Sequence, residues 1–345
     1  MMKFSAMAAI AGSIAPIGGR PAVASELEWS FWKGAYTEAG RVIDGPQGDV
    51  SHSEGQGYGM LLALAYNDRP AFDSYLDWAI STLRVRDDGL FAWRWRPGAE
   101  PAIADTNNAS DGDLLIAWAA ARAAARFQDQ YYMDLASSLA ETLIARCMAT
   151  DPATGRRFLL PAVEGFQRDE GPVLNPSYIV LPALRELAAA TGIAELGQLA
   201  DDGSAILADL AADGLPPDWV QMTADGPVPA ADLSNNAGYD ALRVPLYLIW
   251  DGQGDHPAVI RWHEIWSRAG GEAMPTVVEA GTGAVLEESP NPGYRATPAV
   301  VSCILGDARG AALPRVTLEE PYFPATLSLL SRVAQREKWP RCAPL

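Results

Sequence analysis

Cysteine is scarce in this chain, three residues in 345, and histidine is equally scarce at three. Three cysteines permit one disulfide, so the fold cannot depend on a disulfide framework even in an oxidising compartment; Cys303 with Cys342 is one pairing the sequence leaves open. His52, His256 and His263 show no ligand spacing with one another or with cysteine, which leaves no metal site and no cofactor to assign, and His52 is read as a loop histidine. Basic residues are outnumbered by acidic ones, 26 to 43, for a formal net charge of −17 and a pI near 4.5. Long-range repulsion then opposes nucleic acid, anionic polysaccharide and acidic membrane surfaces, and a neutral or cationic partner suits the chain better. Past the N-terminus no stretch approaches the roughly 18 uninterrupted apolar residues of a spanning helix, so membrane insertion is not expected. No G-x-S-x-G elbow and no P-loop occurs either.

Apolar residues are plentiful at 49%, enough to bury a substantial core, and eleven Trp and eleven Tyr form a large aromatic set. Residues 1–24 read as a secretory signal: Lys3, an apolar stretch "FSAMAAIAGSIAPIGG", and Ala22-Val23-Ala24 as the small-residue cleavage site. The mature chain would start near Ser25 and work in the periplasm or outside the cell. Helical periodicity dominates the mature chain, most cleanly at Tyr131, Leu135, Leu139, Leu143 and Cys147. Further helix-like segments near 27–37, 56–67, 70–84, 112–127, 176–190, 193–211, 238–250, 256–268, 294–306 and 322–335 bring the total to about a dozen, while strand alternation is hard to find. Long Gly/Pro/Asn/Asp-rich loops at 86–110, 151–175, 214–237 and 270–292 are of a length usually tied to function. No repeat or linker divides residues 25–345, and a single all-α domain is expected.

Three acids stand at predicted helix starts. Glu54 opens "SEGQGYGMLLALA", where Gly55, Gly57 and Gly59 alternate through the first two turns. Each glycine costs about 1 kcal/mol relative to alanine in a helix interior. Ser53 to Gln56 fits a capping box, but a cap needs none of these glycines, and the run reads as room cleared beside the acid for a ligand. Asp111 occupies the first turn of "SDGDLLIAWAAARAAARF", where Ser110 and Asp113 repeat the capping-box pattern; an EF-hand fails here from either Asp105 or Asn107 as its first position. Asp240 lies between Tyr239 and Arg243 in "GYDALRVPLYLIW". Helix starts gathered at one end of a bundle would collect these carboxylates, and two opposed carboxylates are the equipment for glycoside hydrolysis.

"SEGQGYGM" (53–60), "NASDGD" (108–113), "NPSY" (175–178) and "GYDALRVPLY" (238–247) occur in the order and approximate spacing of glycoside hydrolase family 8, which the chain resembles over its whole mature length. "WSFWKGAYTEAGRVID" and "PDWV" are similar to the endoglucanases that accompany bacterial cellulose synthesis. The resemblance implies an all-α (α/α)6 barrel of six inner and six outer helices, an open cleft, and endo-acting, inverting hydrolysis of β-1,4-glucan; a monomer is expected, although the sequence does not fix the oligomeric state. Association with a cellulose synthase complex stays open. Carried over motif by motif, Glu54 matches the general acid, Asp240 the general base, and Asp111 an acid that binds and distorts the sugar. Tyr178, Tyr239 and Arg243 match residues lining that same subsite, and Trp93 in "LFAWRW" resembles a stacking platform for a more distant glucose. Asp111 would raise the proton affinity of Glu54 by like-charge repulsion while Arg243 keeps Asp240 ionised. One departure is visible, Ala119 to Ala121 where the family carries bulkier aliphatics. The alternatives are a chitosanase of the same family, which a charge of −17 would suit, and a catalytically silent glucan-binding module.

Overall fold

A computed structural model describes residues 23–269, 272–306 and 310–343. The expected signal segment lies outside the described residues except for Val23 and Ala24, which open the first helix. Eleven α-helices occur in the described residues: α1 (Val23–Tyr36), α2 (Ser53–Ala65), α3 (Arg69–Thr82), α4 (Ser110–Phe127), α5 (Gln130–Cys147), α6 (Leu181–Thr191), α7 (Ala194–Leu210), α8 (Arg243–Trp250), α9 (Pro257–Arg268), α10 (Ala296–Ile304) and α11 (Tyr322–Lys338). Helices α2, α4, α6, α8, α10 and α11 pack in an inner ring that closes from α11 back to α2, and α3, α5, α7 and α9 each lie outside an inner neighbour. Helix α1 covers α11. This is the (α/α)6 barrel, with five outer helices among the described residues where six were expected: the described residues between α10 and α11 include none.

Composition explains which helices lie inside. All eight residues of α8 are buried, as are eleven of thirteen in α2 and fourteen of eighteen in α4, so these helices need no polar face. Helix α5 instead buries one stripe, Tyr132, Leu135, Ala136, Leu139, Ala140, Leu143 and Cys147. The stripe starts at Tyr132 rather than Tyr131, which is exposed, because Tyr132 stands three residues before Leu135 on the face turned to α4. Ala119, Ala120 and Ala121 are buried within α4, so the departure from the family pattern falls on helix packing.

Crowding, not open space, accounts for the glycines of α2. A Cβ on Gly57 would lie 2.5 Å from Leu115 Cβ and 3.3 Å from the Ile116 amide of α4, and one on Gly59 would lie 2.8 Å from Val42 Cγ2. On the facing helix, a Cβ at Gly112 would meet Ser53 Oγ at 2.1 Å. Gly57 and Gly112 therefore let α2 and α4 cross almost backbone to backbone, while Gly59 makes room for Val42 and Tyr75 and Gly55 for Tyr322 and His52, which corrects the reading of a space left for a ligand. Gly57→Ala is expected to destabilise the fold: the gain in helix propensity, about 1 kcal/mol, is outweighed by an overpacking cost of about 1–3 kcal/mol against Leu115, whose Cβ is fixed to the α4 backbone and cannot swing aside. Thermal unfolding of the variant checks this, and an unchanged or raised midpoint would show that the crossing tolerates a methyl group.

Neither expected capping box forms. The α2 N-cap is His52, whose Nδ1 accepts from the Gly55 amide at 3.3 Å, so the expected loop histidine is a cap. Gln56 turns away to accept from Val42 N (2.6 Å) and donate to the Gly40 and Tyr75 carbonyls. In α4, Ser110 Oγ donates to the Leu160 carbonyl, while buried Asp113 accepts from Phe91 N (2.8 Å) and Asn108 Nδ2 (2.9 Å), tying the 86–110 loop to the helix. Burial pushes the Asp113 carboxyl up to about 7. Strands do occur, but each is two to five residues long, too short for alternation to register in the sequence. Gly171–Leu174, Val220–Thr223 and Gly226–Pro229 with Gln167–Arg168 form one small antiparallel sheet, and Met274–Val278 pairs with Val285–Ser289.

Two sets of contacts hold the ring shut. Trp32 Nε1 of α1 donates to Thr326 Oγ1 of α11 at 2.9 Å, and Arg332 of α11 pairs with Glu28 at 3.1 Å. Between α4, α6 and α11, Arg122 is clamped by Glu186 (2.7 Å) and Glu337 (2.9 Å), whose carboxylates also accept from the Trp118 and Trp250 indoles. Cys303 and Cys342 form a disulfide, and Cys147 is buried as a free thiol.

Candidate active site

The N-termini of α2, α4 and α8 meet, and with them the three acids. Glu54 and Asp111 sit in the first turns of α2 and α4; Asp240 lies in the turn just before α8, whose first residue is Arg243. Arg243 is the hub. Its Nη1 donates to Glu54 Oε2 and, at 3.2 Å, to Asp111 Oδ2. Its Nη2 donates to Asp240 Oδ1 at 2.6 Å and to Ser177 Oγ at 2.8 Å. Asn175 Nδ2 holds the other Asp240 oxygen at 2.9 Å, and its own Oδ1 fixes Ser177 through the backbone amide and the hydroxyl.

Exposure separates the roles these groups can take. Asp240 and Glu54 keep 34% and 19% of their side chains open, whereas Arg243 and Asp111 keep 2% and 1%. The first pair can meet a ligand and the second pair stands behind it. One cation among three carboxylates leaves the group net negative when all are ionised, and burial makes that costly. The Asp111 carboxyl is accordingly pushed well above the usual carboxylate range, by burial first and then by Glu54, through its charge and through a hydrogen bond between the two. Burial also works against the charge of Arg243, but the surrounding carboxylates, Glu54 foremost, more than restore it and keep the guanidinium cationic. Beneath them the Tyr58 and Tyr247 hydroxyls are bonded to each other, both raised by burial.

Aromatic residues flank this centre. The Tyr178 ring lies 5.8 Å from the Arg243 guanidinium, and Trp219, stacked on Phe166, comes next at 6.3 Å from Tyr178. Tyr239 is exposed; its ring approaches Tyr294 and Phe323, and its hydroxyl donates to Glu287. Trp93 is only partly buried, with its indole bonded to Asp105 (2.9 Å) and one face covered by Arg94 at 4.0 Å. Its carbonyl accepts from Ser53 N at 3.1 Å, which ties the loop carrying Trp93 to the residue before Glu54. All seven residues singled out in the sequence are thus linked to this end of the barrel. Sequence reasoning misses Asn175, Ser177 and Asp218, although "NPSY" and "PDWV" contain them. Their signal is polarity in apolar surroundings, and all three are buried.

The profile of the family described as "Glycosyl hydrolases family 8" matches residues 1–268. An endoglucanase of Cellulomonas uda is 40% identical over 253 residues, spanning 72% of this chain and 69% of its own length. A probable endoglucanase of Novacetimonas hansenii is 35% identical over 317 residues, 90% of this chain and 91% of that one. The crystal structure of a family 8 endoglucanase from Klebsiella pneumoniae superposes with a TM-score of 0.79 at 36% identity, covering 90% of this chain and 99% of the other. Sequence, barrel and the meeting of acids at its helix starts agree: this chain is a glycoside hydrolase and belongs to family 8.

Proposed function

We propose that this protein cuts internal β-1,4-glucosidic bonds of a glucan such as cellulose with inversion at the anomeric carbon. Glu54 is the general acid and Asp240 the general base, while Asp111, expected to hold the distorted sugar directly, acts on that subsite from behind through Glu54 and Arg243. The observation that carries the assignment is the split in exposure around Arg243: two carboxylates reach the open side and one is buried behind them. An inverting hydrolase needs a proton delivered to the glycosidic oxygen and a water activated on the opposite face of the ring. Asp240, held by Asn175 and Arg243 through separate oxygens, is oriented as an acceptor for that water's proton. Arg243, its guanidinium donating to four residues, aligns the acids, and Tyr178, Tyr239 and Trp93 offer faces to the pyranose rings. Residues 25–345 are the catalytic domain of an exported monomer that works beside bacterial cellulose synthesis; the short apolar start and the resemblance of residues 29–44 and 217–220 support this part.

Proton NMR of the purified protein on cellopentaose is expected to show α-configured product before mutarotation. On carboxymethylcellulose, viscosity should fall well before reducing ends accumulate. β product would overturn inversion, and release of disaccharide at constant viscosity would overturn endo action. A chitosan arm in the same assay separates the glucanase from a chitosanase.

A further inference from the structure

Helix α8 starts without a side-chain cap, since its N-cap residue Leu242 has no polar side chain to offer. The turn before it, which presents Asp240, is held from outside by Asp218, which is 8% exposed and immediately precedes Trp219 and the strand Val220–Thr223. Asp218 Oδ1 accepts from Gly238 N and from Ala241 N, both at 2.9 Å, so one oxygen grips the main chain on either side of Tyr239 and Asp240. Ser234 Oγ approaches Oδ2 at 3.4 Å, and the Asp218 amide donates to the Asn236 carbonyl at 2.7 Å. Behind the turn, Ala237 exchanges both backbone hydrogen bonds with Val278. The fit is close enough that a Cβ on Gly238 would stand 2.7 Å from Asp218 Oδ2, a contact only glycine avoids.

We propose that Asp218 is a positioning residue for the general base, fixing the Gly238–Ala241 turn so that Asp240 projects into the cleft. The proposal rests on the assignment of Asp240 as that base. A neutral acceptor could receive the same two amides, yet the position holds a carboxyl beside a second carboxyl. Burial and then the Asp240 charge push Asp218 up to about 6, against the two amides and Arg243. The other groups facing the pair are Asn175 and Arg243 on Asp240, and the Ser234 hydroxyl on Asp218.

The test compares Asp218→Ala, Asp218→Asn and Asp240→Ala on cellopentaose. Asp218→Ala frees the turn and is expected to lower kcat about 10²-fold, the scale of a displacement near 1 Å, with KM changed far less. Asp218→Asn keeps an oxygen for both amides and is expected to retain most of kcat. A merely structural role would lower the folded fraction of the variants and leave kcat per folded molecule at the wild-type value. Wild-type kcat per folded molecule in Asp218→Ala, or a kcat in Asp218→Asn as low as that of Asp218→Ala, overturns the proposal; should Asp218→Ala not fold, Gly238→Ala, whose methyl group would push the same turn away from Asp218 Oδ2, takes its place, and wild-type kcat there overturns the proposal. Asp240→Ala tells the two readings apart. Wild-type turnover there removes the base assignment and this inference with it, whereas loss of turnover beside unaltered Asp218 variants removes only this one.

Discussion

Glu54→Gln is expected to hydrolyse cellopentaose about 10²–10⁴-fold more slowly than the wild type, the range of a lost general acid, with oligosaccharide binding largely kept. Glutamine is nearly isosteric, and its amide oxygen can still accept from Arg243, so the guanidinium keeps its place among Asp111, Asp240 and Ser177. What the variant loses is the proton. A substrate with a good leaving group, such as an activated aryl cellobioside, needs little protonation and should be cut with a much smaller deficit. Turnover of cellopentaose near the wild-type rate would return Glu54 to an ordinary first-turn acid favoured by the helix dipole.

Asp240→Ala is expected to cost a comparable factor, and azide should restore turnover of an activated β-glucoside while leaving an α-glycosyl azide. The structure gives a reason for rescue. Removing the carboxylate leaves Arg243 Nη2 and Asn175 Nδ2 pointing into an opening that a small anion can fill, and the Asp240 position is the most exposed of the three. Asp111→Ala opens a space at a side chain only 1% exposed and takes away a contact to Glu54 and Arg243, which no anion arriving from solvent replaces. Rescue of Asp111→Ala but not of Asp240→Ala would exchange the roles of the two acids.

The helices are legible in the sequence because the outer ones bury a single face, as in α5, and the inner ones are apolar nearly throughout, as in α8. The acids are legible through motifs, since three carboxylates at helix starts meet only if those starts share one end of a barrel. What the sequence conceals is pairwise. Gly57 records how near Leu115 comes, and nothing in residues 53–60 names Leu115. Gln56 and Asp113 look like capping residues by spacing, but each finds a partner fourteen or more positions away that competes for the same side chain. Asp218 looks like one loop acid among several until the turn twenty residues on folds against it. The start of α8 also differs: the apolar run suggests a helix from 238, but Gly238 to Leu242 form the turn that sets out Asp240, and the helix begins at Arg243.

The ring is closed by its last helix, and this orders events in time. Trp32 waits for Thr326, 294 residues later, and Glu28 for Arg332. Buried Tyr322, in the first turn of α11, lies where a Cβ on Gly55 would come within 3.1 Å of its hydroxyl, next door to Glu54. Hairpins such as α2–α3 or α4–α5 can form as soon as they leave the ribosome, because their partners are neighbours in sequence, whereas joining the two ends of the chain must wait for the C-terminal segment. A growing chain therefore carries all three acids long before it has a wall beside them, and it remains an open string of hairpins until synthesis is nearly finished.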